Sequence, residues 1–211
     1  MKITKFGHCC LLLEVDGIKI LTDPGSFTTA QNDITGLDAV LITHSHQDHY
    51  HAESVPMLVK NNPEAVFITN NEVGELLKKE GVTYTKVGDG ELTVVKGIKI
   101  EGFGKDHAQI YGTMGLVENT GYFVADKFYF PGDNFHNPGK QVDVLALPVA
   151  APWMKISDAI NFVKEIKPRV TFSVHDGMIA PSFRSSVGPR LKMFTPETEY
   201  TALADGESRE F

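Results

Sequence analysis

The sequence predicts an α/β protein in which two β-sheets pack face to face with helices on their outer surfaces. Apolar runs of strand length alternate with turn residues and helical patterns along the 211 residues. In addition, "KILTDPGSF" followed by "LDAVLITHS" resembles "KFYFPGDNF" followed by "VDVLALPVA", so each half carries a strand with an acidic turn and then a buried strand. We therefore expect one domain, residues 1–211, built from two strand-rich halves.

The strands are predicted from these apolar runs. Residues 2–6, 10–15 and 18–22 form the first three, and Asp16-Gly17 is a typical two-residue hairpin turn between the last two. Residues 37–43, "LDAVLIT", form a near-continuous buried strand. Later strands are predicted at "AVFIT", "ELTVV", "IKIEGF", "GYFVA", "KFYF", "DVLAL" and "VTFSV".

Three helices are predicted between the strands. The first covers residues 53–60, and the second is "EVGELLKKE", capped by Asn70 or Asn71 and closed by Gly81. The third is "SDAINFVKEIKP", with Ser157 as its cap and Pro168 as its terminator. The stretch after Gly177 is rich in Gly and Pro and predicts no regular element.

Composition excludes several classes of protein. Cys9 and Cys10 are adjacent and cannot close a useful loop, which predicts buried thiols in a reducing compartment. No leader-like cleavage pattern or membrane-length apolar run is present, so we expect a cytoplasmic protein that does not contact membranes. The formal net charge of −7 disfavours nucleic acid as a partner and favours a small-molecule substrate. The oligomeric state is left open, and a homo-oligomer is compatible with the sequence.

Half of the histidines lie in "ITHSHQDHYH", residues 42–51. Residues i and i+2 of an extended segment project to the same side, so His44 and His46 can offer two imidazoles to one cation. Asp48 and His49 follow one step further around the same loop and face a neighbouring position. The motif therefore predicts a site for two metal ions at the carboxyl end of a strand.

Three further residues follow other predicted strands. His107 comes after "IKIEGF", Asp133 after "KFYF" and His175 after "VTFSV". Because a packed sheet directs such strand ends to one rim, we expect these side chains to complete the site. His107 is identified by position alone.

The HxHxDH motif with distant His, Asp and His residues resembles the signature of the metallo-β-lactamase superfamily. Further similarity lies in "GHCCLLLE", "ILTDP", "GDN" and "SVHDG", and it extends over residues 2–175. The chain looks most like the small cytosolic branch that includes ascorbate-phosphate lactonase-like proteins. This resemblance implies a four-layer αββα sandwich.

The resemblance also implies the ligands of two divalent metal ions. His44, His46 and His107 would bind the first ion, and Asp48, His49 and His175 the second, with Asp133 as a bridge. Zinc suits these ligands best, and manganese, iron or nickel are also compatible. A metal-bound hydroxide would attack the substrate, with Asp48 as the catalytic residue that orients it.

Five residues are predicted around this centre. Asp23 in "LTDPG" resembles the family's acid that orients ligands, and His8 resembles a residue at the rim of the site. Trp153 is interpreted equally well as a pocket residue or as a core residue. His136, three residues after Asp133, and Arg184 are candidate substrate contacts, although an ordinary surface position for His136 and a solvated loop around Arg184 are the simpler interpretations.

The favoured function is a metal-dependent hydrolase of a small ester, lactone or similar electrophile. A phosphodiesterase or nuclease would use the same dinuclear centre, but RNA-processing relatives carry an insertion or arm that this compact chain lacks. A mono-iron persulfide dioxygenase-like enzyme keeps the HxHxDH motif and is the second alternative. A non-catalytic metal-binding module is disfavoured because every expected ligand is present.

Overall fold

Two mixed β-sheets of seven strands each are formed by the residues that the structure describes, 1–114 and 116–211 of a computed structural model. The strands of the first sheet are β1 (Lys2–Gly7), β2 (Cys10–Val15), β3 (Ile18–Thr22), β4 (Ala39–Ile42), β5 (Val66–Thr69), β6 (Tyr84–Lys86) and β14 (Ser208–Glu210). Its spatial order is β14-β1-β2-β3-β4-β5-β6. The C-terminal strand thus completes the sheet that the N-terminus begins.

The second sheet is built from the rest of the chain. Its strands are β7 (Leu92–Val95), β8 (Ile98–Phe103), β9 (Gly121–Val124), β10 (Phe128–Phe130), β11 (Val144–Pro148), β12 (Val170–Val174) and β13 (Glu199–Tyr200), in the spatial order β13-β12-β11-β10-β9-β8-β7. In both sheets antiparallel hairpins come first and parallel strands follow, β3 to β6 in one and β10 to β13 in the other.

Within the described part of the chain, four α-helices cover the outer faces of the sheets: α1 (Val55–Asn61), α2 (Asn71–Lys79), α3 (Ile156–Ile166) and α4 (Pro181–Phe194). Buried side chains of the first sheet pack on α1 and α2, and those of the second sheet pack on α3 and α4. A central core between the sheets contains Leu13 and Ile20 from one and Tyr122 and Phe172 from the other. This arrangement confirms the predicted four-layer sandwich. No helix among the described residues has the length and apolar character needed to cross a bilayer.

Local chemistry explains several element boundaries. Asp16 and Gly17 both have positive φ angles, 50° and 81°, which fits the tight turn predicted between β2 and β3. The side chain of Asn70 accepts from the Val73 amide and caps α2 as predicted. Cys9 and Cys10 are buried and free, as expected.

Other boundaries differ from the predictions. Helix α1 begins at Val55 rather than at residue 53, and the buried strand is shorter, Ala39–Ile42. Ser157 does not cap α3, because the N-cap is Lys155, two residues earlier, and the Asp158 carboxylate accepts from the Lys155 amide at 2.7 Å. That bond satisfies a free N–H at the helix start, which is the function that the sequence predicts for Ser157.

The segment after Gly177 is more regular than the sequence suggested. Residues 181–194 form α4, so the expected solvated loop around Arg184 is wrong. Pro181 lies in the first turn, where its missing N–H leaves no hydrogen bond unmade. Val187 and Leu191 are buried against the second sheet and hold the helix in place.

Candidate metal centre

All seven predicted ligands lie at one edge of the sandwich, where the parallel strands of both sheets end. His44, His46, Asp48 and His49 belong to the loop that follows β4. Asp133 lies three residues after β10 and His175 directly after β12, while His107 lies in the loop after β8. The structure therefore brings together side chains that are up to 131 positions apart in the chain, from His44 to His175.

The first group of donors consists of His44, His46 and His107. One ring nitrogen from each lies within 4.8 Å of the others, and the ring centroids are 4.6 to 5.0 Å apart. His44 and His107 are buried, and His46 is partly exposed. This trio is the set predicted for one ion.

The second group contains Asp48, His49 and His175, together with His8. Their ligand atoms also lie within 4.8 Å of one another. Oδ2 of Asp48 is 3.6 Å from Nε2 of His49 and 3.5 Å from Nε2 of His175. His8, expected at the rim, is 1% exposed and contacts Asp48 directly.

Asp133 lies between the two groups. Its Oδ1 is 3.2 Å from Nε2 of His49, and its Oδ2 is 3.3 Å from Nε2 of His107 and 2.9 Å from Nε2 of His175. One carboxylate thus reaches an imidazole of each group, as a bridging ligand must. Ion binding by these seven residues stays a prediction, but their geometry can accommodate it.

Hydrogen bonds at Nδ1 fix the tautomers of the buried histidines. His107 and His175 each donate from Nδ1 to a backbone carbonyl, of Ala108 and Ala150 respectively, at 2.6 Å. A carbonyl only accepts, so the proton is on Nδ1 and Nε2 of the neutral ring carries a lone pair. Both Nε2 atoms are directed toward Asp133.

Asp23 fixes the other two buried rings. Its Oδ2 accepts from Nδ1 of His49 at 2.6 Å and from the Thr43 hydroxyl at 2.7 Å, and its Oδ1 accepts from the Thr43 amide at 2.8 Å. The Thr43 hydroxyl has given its only proton to Asp23, so it accepts from Nδ1 of His44 at 2.9 Å. Asp23 therefore orients ligands of both groups, one directly and one through Thr43.

These atoms supply an observation against which ion binding can be tested. Nε2 of His44, His49, His107 and His175 and Oδ1 of Asp133 are buried without a hydrogen-bond partner among the described residues. Unpaired buried polar atoms are costly, and imidazole and carboxylate atoms 2.9 to 3.3 Å apart repel unless a proton or a cation lies between them. A cation between them removes both costs, so the residues present fit divalent ions.

The charges at the site also favour a cation. Burial holds the pKa of His44 well below its usual range, so that ring is neutral. Burial opposes ionisation of Asp133, but His49 and His175 hold the pKa of its carboxyl well below the ordinary value. Burial likewise opposes the charge on His49, yet Asp133 and Asp23 raise its pKa. The negative charges of Asp133 and Asp23, which favour a second proton on His49, would also attract a divalent ion. Binding of that ion would displace the proton.

The remaining predicted residues occupy different positions. Nε1 of Trp153 donates to Oδ2 of Asp133 at 2.9 Å, and the indole ring lies 6.2 Å from His107, so Trp153 belongs to the site. His136 is exposed, and its ring lies over Gly104, outside both groups of donors. Arg184 donates to Asp205 at 3.1 Å and lies 4.0 Å from Asp176, behind the His175 loop.

Two structural contributors were missed in the sequence. The sequence predicts Thr43 only as the end of a strand, although its position directly before His44 is a usable signal. Lys5 is fully buried in β1, and its amine lies 2.7 Å from the carboxylate of Asp176, next to His175. In a strand Lys5 shares a face with Ile3, and this face is buried in β1. The strand pattern therefore indicates an inward position for Lys5, but nothing in the sequence indicates its partner.

Comparisons with known proteins agree with this fold. The family model for the beta-lactamase superfamily domain matches residues 2–175. Protein Rv0786c of Mycobacterium tuberculosis is 35% identical over 210 residues, which are 97% of each chain. The UPF0173 metal-dependent hydrolase Ta0764 of Thermoplasma acidophilum is 27% identical over 192 residues, 83% of each chain. Among solved structures, the metallo hydrolase Igni18 of Ignicoccus hospitalis superposes with a TM-score of 0.77 at 21% identity, covering 100% of this chain and 98% of the other.

Proposed function

This chain belongs to the beta-lactamase superfamily and is a metal-dependent hydrolase, and from that premise we propose that it hydrolyses a small ester, lactone or similar electrophile at a dinuclear centre. The observation that carries the proposal is the set of unpaired Nε2 atoms around Asp133. Four imidazoles engage their Nδ1 atoms with outward partners, which directs their Nε2 atoms to one small volume.

The two groups of donors define the residues that would hold the ions. His44, His46 and His107 would each supply one ring nitrogen to the first position. Asp48, His49 and His175 supply the second, and Asp133 lies within reach of both. When bound, the ions lower the pKa of a coordinated water to roughly 7 and polarise the electrophilic centre of the substrate. Imidazole and carboxylate ligands favour zinc, and manganese, iron or nickel satisfy the same donors.

Asp48 is the carboxylate placed to orient an attacking water. Burial opposes its ionisation, but the hydrogen bond from His8 and the neighbouring His49 and His175 hold the pKa of its carboxyl well below the usual range. Its side chain is 21% exposed, whereas Asp133 is 4% exposed and Asp23 is fully buried. Asp48 is thus the site carboxylate that an incoming water or substrate can reach, and it would orient the attacking water.

Two aromatic rings, together with two cationic side chains that already have carboxylate partners, support an uncharged substrate. Trp153 lies beside His107 in the first group, and Phe27 stacks on His8 in the second at 4.4 Å. Arg184 is paired with Asp205 at 3.1 Å, and Lys105 lies 3.8 Å from Asp89. Both cations already have a carboxylate partner, and the aromatic rings beside both groups of donors favour a small apolar ester or lactone over a phosphodiester or nucleic acid.

The decisive experiment combines elemental analysis with a substrate screen. Untagged protein should contain divalent metal, close to two ions per chain, and the reconstituted enzyme should hydrolyse lactones or esters faster than a chromogenic phosphodiester. Preferential turnover of the phosphodiester would favour a phosphodiesterase. A single iron with consumption of oxygen would favour a persulfide dioxygenase-like enzyme.

Substitution of Asp48 tests the assignment of the chemistry. Asp48→Ala should keep the fold and reduce kcat/KM by about 10²- to 10⁴-fold, the usual contribution of a general base. Glu64→Ala is the matched control, since Glu64 is an exposed carboxylate outside both groups of donors. Unchanged turnover in Asp48→Ala would contradict the proposed mechanism.

A further inference from the structure

We propose that His8 is a positioning residue that holds the Asp48 carboxylate through an Nε2–H donor, and that it is not an ion ligand. This inference rests on the proposed function. Distance alone does not separate the two roles, because the ligand atoms of His8, Asp48, His49 and His175 all lie within 4.8 Å of one another. The hydrogen bonds of the His8 ring do separate them.

The tautomer of His8 follows from a backbone contact. The amide of Gly177 donates to Nδ1 of His8 at 3.1 Å. A backbone N–H can only donate, so Nδ1 is the acceptor and the ring proton is on Nε2. Nε2 lies 3.0 Å from Oδ2 of Asp48 and donates to it. Both nitrogens of the neutral ring are then engaged, and no lone pair remains for a metal ion.

This pattern is the reverse of the one in the buried ligands. His107 and His175 donate from Nδ1 and leave Nε2 unpaired, as do His44 and His49. His8 accepts at Nδ1 and donates from Nε2. Nε2 of His8 is accordingly not among the unpaired buried atoms.

The surroundings of His8 make it a rigid donor. The residue has a positive φ of 52°, its ring stacks on Phe27 with an interplanar angle of 13°, and its carbonyl accepts from the His175 amide at 3.3 Å. Asp48, by contrast, lies in a loop and is partly exposed. A fixed N–H on Oδ2 restrains rotation of this carboxylate.

Two substitutions distinguish a donor from a ligand. His8→Phe keeps a ring against Phe27 but removes the donor, and His8→Gln can place an N–H near the position of Nε2. His8→Phe should retain the full wild-type metal content while kcat falls about 10- to 100-fold, as for other residues that orient metal ligands. His8→Gln should recover most of the lost kcat. Phe27→Leu, which removes only the stacking partner, should lose less than His8→Phe.

Elemental analysis and NMR give readouts that are independent of turnover. Loss of one metal equivalent in His8→Phe would show that His8 is a ligand, and His8→Gln as inactive as His8→Phe would exclude the donor role. In ¹⁵N NMR of the wild-type protein, His8 should carry its proton on Nε2, and a proton on Nδ1 overturns the inference. Wild-type protein that binds no metal or hydrolyses nothing would instead contradict the proposed function, and the NMR result would still decide the tautomer of His8.

Discussion

The amine of Lys5 lies 2.7 Å from both carboxylate oxygens of Asp176 and 3.1 Å from the carbonyl oxygen of Ser173. Lys5 belongs to β1 in the first sheet, whereas Asp176 directly follows His175 at the end of β12 in the second. Both side chains are almost fully buried. The ion pair therefore ties one sheet to the loop that carries a predicted ligand.

Replacement of Lys5 should be strongly destabilising. Lys5→Met leaves the Asp176 carboxylate buried without its main partner, which costs about 3–5 kcal/mol of unfolding free energy. Urea denaturation followed by circular dichroism measures this loss. Lys2→Met is the matched control in the same strand, because the Lys2–Glu14 pair is exposed and should contribute less than about 1 kcal/mol. Equal losses in the two variants would contradict the structural role of Lys5.

Replacement of Asp23 should weaken metal binding more than it weakens the fold. Asp23 accepts three hydrogen bonds, from the amide and hydroxyl of Thr43 and from Nδ1 of His49. In Asp23→Asn one oxygen becomes an NH₂ group that faces a donor, so His44 or His49 loses its fixed orientation. We expect metal affinity to fall about 10- to 100-fold, measured by competition with a chromogenic chelator.

Asp38→Asn provides the control for this experiment. Asp38 lies at the opposite end of β4 and accepts from the Lys19 amide at 2.8 Å, far from the ligand loops along the strand. Its metal affinity should equal that of the wild type. A similar loss in both variants would indicate a general effect on the first sheet.

The backbone at Gly25 leaves no room for a side chain. A Cβ atom added there would lie 1.8 Å from the carbonyl oxygen of Asp48 and 2.7 Å from the amide of His49. Gly25→Ala must therefore displace the ligand loop, at a cost of about 1–3 kcal/mol or more, together with loss of bound metal. In Gly88→Ala the nearest atom would be 3.5 Å away, so thermal stability and metal content should be retained. Normal metal content in Gly25→Ala would contradict this packing.

Removal of metal should destabilise the protein. The unpaired atoms of the cluster are compensated only when a cation is bound, and an ion at 100 times its dissociation constant adds about 2.7 kcal/mol to the stability of the folded state. Treatment with a chelator should lower Tm, and added zinc should restore it. His44→Ala, which removes one donor of the first group, should show a smaller response to zinc. A Tm that does not change with the chelator would contradict metal binding at this site.

The sequence allowed much of the site to be predicted because its signal is local. His44, His46, Asp48 and His49 lie within six residues, and their spacing alone places them on one loop. The strands that the sequence predicts could be recognised because their apolar runs are bounded by turn residues. Trp153 could not be assigned between core and pocket, since that depends on the distance to Asp133 in space.

Long-range pairings and α4 were not predictable in the same way. Lys5 and Asp176 are 171 positions apart, and His8 and Asp48 are 40 apart, so no spacing rule connects them. In α4, Gly188 and Pro189 suggest a loop, but Gly188 lies against Tyr200, where an added Cβ would be 2.6 Å from the ring. Packing against β13 thus stabilises α4 although its sequence pattern is only weakly helical.

Both sheets contribute donors to the candidate metal centre, so the full set of donors exists only after both sheets have formed. His44, His46, Asp48 and His49 come from the loop after β4, whereas His107, Asp133 and His175 are contributed by the later half of the chain. A nascent polypeptide that has emerged only as far as β6 can offer an ion an incomplete set of donors. If these residues bind the ions as proposed, high-affinity loading would wait until translation has delivered the second sheet, and cation uptake would be a late step in the biogenesis of this hydrolase.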